Sequence, residues 1–100
     1  MPEMKLSVPH QLNQDEAATR IKGLIKQVQA QYADKVSNLK ESWEGNTGNF
    51  SFEVMGFPIS GTLRIESSQV MMTGQIPFAA MPFKGMIENT LREKMTGLLA

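Results

Sequence analysis

The chain has 100 residues, 41% of them hydrophobic and 20% charged, as expected of one globular domain. Ten Lys+Arg balance ten Asp+Glu, so no long-range field recruits anionic lipid or nucleic acid, and no nucleic-acid partner is expected. There is no cysteine, which excludes disulfides and thiolate metal sites. The opening MPEMKLSVPH has no signal-peptide core, and no apolar run nears the roughly 20 residues of a membrane span, so no transmembrane segment is expected and a cytoplasmic location is.

The elements follow in chain order. Residues 4–8 alternate apolar and polar and read as a strand that Pro9 ends. Asn13 stands as a helix N-cap, with Asp15 and Glu16 at the positive end of the dipole. Ala17, Ile21, Leu24, Ile25, Val28 and Tyr32 recur at helical spacing and predict one amphipathic helix over 14–33, with Arg20, Lys22 and Lys26 facing water. Gly23 inside it lowers helix propensity.

The middle of the chain reads as β. A strand over 37–44 puts Leu39, Glu41 and Trp43 on one face, and residues 44–48 form a turn. Phe50, Phe52 and Val54 alternate with Ser51, Glu53 and Met55 up to a second turn, Gly56-Phe57-Pro58. Ile59 to Glu66 and Val70 to Ile76 alternate again, separated by a third turn, Ser67-Ser68-Gln69. Pro77 to Pro82 is a short apolar linker whose prolines keep it out of regular structure. A last helix from about Phe83 carries the stripe Phe83, Met86, Ile87, Leu91, Met95, Leu98 and Leu99.

The resulting order, β-α-β-β-β-β-α, predicts an α+β domain spanning 1–100: an antiparallel sheet with two helices packed on one face. It resembles a shortened helix-grip fold, a curved sheet wrapping a C-terminal helix.

Chemistry-bearing residues are sparse. His10 is the only histidine and is either a general base or a turn residue; no second imidazole or thiolate completes a metal site, so neither a metal nor a cofactor is expected. Glu41, beside Trp43 on a core-facing register, is either an acid in a pocket or a residue near a sheet edge. No phosphate loop, nucleophile elbow or carboxylate pair is present, so no catalytic residue is expected. Methionine concentrates in the last third, and Ile76 to Phe83 carries no charge. There Phe78 and Met81 are expected to reach outward as an apolar contact surface, with Phe83 turned inward; the alternative is a core-lining linker.

Several motifs then fall in order along nearly the whole chain: Pro9-His10-x-Leu12, Trp43-Glu44-Gly45, Gly61-x-Leu63-x-Ile65 and Pro82-Phe83-Lys84-Gly85-x-Ile87-Glu88. Together they resemble the polyhydroxyalkanoic acid system (granule-region) family. The resemblance implies a bacterial, non-enzymatic protein linked to polyhydroxyalkanoate storage, at the granule surface or bound to a protein partner, a second copy included. The other reading is a minimal helix-grip ligand carrier or enzyme holding an acyl-like molecule. An enclosed apolar cavity of roughly 300 Å3 or more, containing His10 or Glu41, would favour the carrier. A filled core with Phe78 and Met81 exposed would favour the surface.

Overall fold

Apolar–polar alternation gives each of five segments one face for the core and one for water. In the computed structural model, which describes residues 3–100, the segments pair into one antiparallel sheet. Residues 1 and 2, where the N-terminal stretch read above begins, lie outside it. Strands β1 (Glu3–Pro9), β2 (Val36–Glu44), β3 (Thr47–Val54), β4 (Phe57–Ile65) and β5 (Gln69–Gln75) stand in the order β1-β5-β4-β3-β2. The last four form a meander, and β1 adds to its far edge beside β5. Helices α1 (Gln14–Ile21), α2 (Leu24–Gln31) and α3 (Lys84–Leu99) cover one face, and a 3-10 helix, Phe78–Phe83, precedes α3.

The covered face reads in cross-strand rows. Leu6, Met72, Leu63, Gly48 and Trp43 form one row; Met4, Gly74, Gly61, Phe50 and Glu41 form the next. Against these rows pack Ile21, Leu24 and Ile25 from the first helical layer and Leu91 and Met95 from α3, all buried. Ile87 and Leu98 are only half-buried, and Met86 is 55% exposed. The apolar stripe of α3 is therefore narrower than its spacing predicts.

Asn13 caps α1 as expected, its Oδ1 accepting from Glu16 N at 2.8 Å. The single helix over 14–33 is in fact two. Gly23 N donates to Arg20 O rather than to the carbonyl four residues back. That tightened turn at Lys22-Gly23 separates α1 from α2, at the residue with the weakest helix propensity in the segment. Arg20 does not simply face water: its guanidinium donates to Leu98 O and Ala100 O and to Glu16 Oε1, tying α1 to the last turn of α3.

The turns are tighter than the composition indicates. Residues 44–48 reduce to a two-residue loop, Gly45-Asn46, with Glu44 and Thr47 already paired. The second turn is Met55-Gly56, and Phe57 and Pro58 begin β4. Pro58 is tolerated there because β5 pairs with β4 only from Ser60 onward, so no ladder partner is lost. Gln69 likewise opens β5 rather than closing a turn.

Candidate functional site

One end of the sheet collects the apolar side chains that the core leaves outside. At this end lie the β3–β4 turn, the N-terminal part of α3 and the 3-10 helix. In a 3-10 helix residues three apart eclipse each other. Ala80 and Phe83 take the inner side: Ala80 is buried, and the Phe83 ring packs on Phe57 at 6.2 Å between centroids. Phe78 and Met81 take the outer side, 75% and 42% exposed. Pro82 is accommodated inside this two-turn segment, so the segment is helical, not irregular as its prolines suggest. Phe83 keeps 37% exposure; it turns inward only in part.

Met55 and Met86 extend this surface, 48% and 55% exposed. Both line a crevice of about 200 Å3 between α2, α3 and the ends of β2 and β3, floored by Val28, Phe52 and Leu91. Met55 is held there by a costly backbone. Its φ is +51° and that of Gly56 is +87°, the signature of a type I′ hairpin turn that favours Asn or Gly at the first position. A side chain with a Cβ in that region costs of order 1–3 kcal/mol. Composition alone hides Met55 and Met86 as site residues; the signal for Met55 was a bulky residue before glycine at a two-residue loop.

The other candidate residues stand elsewhere. His10, 8% exposed, follows β1 at the opposite end of the sheet. Its Nδ1 accepts from Leu12 N at 3.2 Å, and its Nε2 then donates to Glu66 O at 3.0 Å. Its backbone N–H meets Ser68 O. The bonds to Glu66 and Ser68 pin the β1–α1 connection to the β4–β5 turn, and the bond from Leu12 N shapes that connection itself. Glu41 and Trp43 lie on β2, at the other edge from β1 and His10, and share the covered face with Leu39 as the alternation predicts. The Trp43 indole lies over Gly48, where a Cβ would stand 2.6 Å from Cε2, and Lys22 Nζ sits 5.6 Å from the ring centroid. Glu41 Oε2 and Trp43 Nε1 are buried without a hydrogen-bond partner among the described residues. The geometry thus brings Phe78 and Met81 together and leaves His10 and Glu41 at separate places.

No group of three or more His, Cys, Asp or Glu side chains among the described residues is placed to hold a metal ion. No helix among them is long and apolar enough to cross a membrane. What the apolar end offers is burial. Each Phe or Met side chain fully covered by a partner contributes about 1.5–3 kcal/mol, and flexible thioethers conform to an irregular surface.

A family model described as "Putative polyhydroxyalkanoic acid system protein" matches residues 4–99. No curated protein matches the chain. Among solved structures it is similar to the crystal structure of TTHA0849 from Thermus thermophilus, at 14% identity and a TM-score of 0.39, over 98% of this chain and 92% of that one. A likeness so distant carries no functional argument.

Proposed function

The chain belongs to the polyhydroxyalkanoic acid system family, and from that premise we propose that it is a non-enzymatic bacterial protein lying, in the cytoplasm, against the hydrophobic surface of a polyhydroxyalkanoate granule. The observation that carries this reading is the apolar end, where Phe78, Met81, Met55 and Met86 stand exposed together. An apolar polyester offers such residues burial without demanding charge or shape complementarity. The backbone strain accepted at Met55 supports a role for that side chain outside the fold.

The carrier reading has less support. The crevice beside Met55 and Met86 holds about 200 Å3, less than the roughly 300 Å3 at which ligand pockets usually begin. Neither His10 nor Glu41 lines it; Glu41 borders a larger hollow of about 540 Å3 on the outer face of the sheet, which is open and not an enclosed cavity.

Adsorption to polyhydroxybutyrate film or to isolated granules tests the proposal. The double variant Phe78→Ser with Met81→Ser removes apolar contact at two exposed positions. It should weaken adsorption by at least about tenfold, since two lost side-chain burials exceed 1.4 kcal/mol, while thermal unfolding stays within a few degrees of the parent. Unchanged adsorption would sink the reading; loss of folding would mean that the 3-10 helix is part of the core.

A further inference from the structure

The face of the sheet opposite the helices carries a second feature, at residues that the apolar end does not use. Outward-facing positions align there into two cross-strand rows. Ser42, Asn49, Thr62 and Thr73 form one; Lys40, Ser51, Ser60 and Gln75 form the other. Between and around them runs a shallow trough of about 540 Å3. The outward side chains lining it are hydroxyls and amides, with Lys40 the one charged group among them, and Glu41, whose side chain belongs to the covered face, borders it as well. The Thr62 hydroxyl donates to Asn49 Oδ1 at 3.0 Å, which orients the Asn49 amide and leaves its N–H groups to donate outward.

We propose that this trough binds the acid terminus of a linear 3-hydroxyalkanoate oligomer, laid across β2 to β5 with its carboxylate at Lys40. The choice of a polyester chain rests on the proposed function above; the orientation and the site come from the face itself. Neighbouring strands stand about 4.8 Å apart, so the two rows together offer a donor at that interval, with Ser60 serving β4 because the Thr62 hydroxyl proton goes to Asn49. A 3-hydroxyacid repeat has four backbone bonds and spans about 5 Å when extended. One ester carbonyl therefore meets each strand in turn, and a hydroxyl or amide of either row can donate to it. The rows are two residues apart, about 6.8 Å, which leaves a lane for the chain between them.

The end charge is set by Lys40. It opens its row at the β2 edge and makes no ion pair among the described residues. At the other edge, Lys5 is already paired with Glu3 at 3.5 Å. Within the trough a carboxylate thus finds its cation only at β2, since Arg64, outward and exposed on β4, stands one row beyond the lining. A sugar chain fits less well, because neither row holds an aromatic ring on which a pyranose could stack. A polyanion fits less well because one cation cannot neutralise it.

The test uses the full chain and a water-soluble tetramer of 3-hydroxybutyrate with a free carboxylate, followed by amide chemical shifts. Saturable shifts should map to residues 40–42, 49–51, 60–62 and 73–75. Lys40→Met, or the methyl ester of the tetramer, should weaken binding about tenfold, the size of one charge-assisted hydrogen bond. Thr62→Val should weaken it severalfold, and Phe78→Ser with Met81→Ser should leave it unchanged. The absence of trough shifts with the free acid would overturn the proposal, as would equal binding of acid and ester, or tighter binding of a cello-oligosaccharide. The two readings separate cleanly. Tetramer binding without film adsorption retains the trough and removes the granule-surface reading; adsorption without tetramer binding does the reverse.

Discussion

Met55 combines a backbone conformation that is costly to the fold with an exposed apolar side chain. Its positive φ is an ordinary value for asparagine in a type I′ turn and a strained one for methionine. Met55→Asn should therefore stabilise the protein by about 0.5–1 kcal/mol, read as a higher denaturant midpoint with an unchanged slope. The same substitution should reduce adsorption to polyester film, because it removes an apolar side chain from the exposed end. Greater stability with undiminished adsorption would show that Met55 does not belong to the contact surface. His10 illustrates the opposite case. A lone histidine reads equally as a base or as a turn residue until its partners are seen, and here both ring nitrogens are taken by backbone groups.

Among the elements, the strands were the most legible part of the chain. Period-two alternation put Phe50, Phe52, Leu63 and Ile65 on the covered face, and all four are buried. Their ends were less legible, since a two-residue hairpin needs only Gly45-Asn46 or Met55-Gly56, and the flanking Gly48, Phe57 and Pro58 join the strands. The helix over 14–33 was legible as a stripe but not as two pieces. The apolar spacing of Ile21, Leu24 and Val28 continues through the break at Gly23, and periodicity alone is blind to a local change of hydrogen bonding. Both pieces still anchor the core. Leu24→Ala in α2 or Leu91→Ala in α3 should cost about 2–5 kcal/mol, since each side chain is buried and leaves a cavity. Equilibrium unfolding is the measurement, and a loss under about 1 kcal/mol at either position would contradict the packing.

At the scale of the whole molecule, the surface residues Phe78 and Met81 could be named from the chain because a charge-free run is visible in one dimension. Met55 and Met86 could not, since the turn and the helix that carry them meet only in three. The trough was hidden for a similar reason: its serines and threonines are common residues that become a pattern only in cross-strand register. Folding without a metal is expected as well, because His10 stands alone and no cysteine is present. A strong chelator should leave the thermal midpoint unchanged, and a fall of several degrees would reveal a bound ion. The strand order has a kinetic consequence. Strands β2 to β5 close through short local hairpins, whereas Glu3 in β1 must find Gln75, most of the chain away. Closing so long a loop is entropically unfavourable until the meander exists to receive it, so β1 should dock after the rate-limiting step. Leu6→Ala should then accelerate unfolding and leave the refolding rate nearly unaltered, giving a φ-value near zero in a chevron analysis. A marked slowing of refolding would instead place the first strand in the nucleus, and the hairpins would then assemble around a template laid down from the far edge.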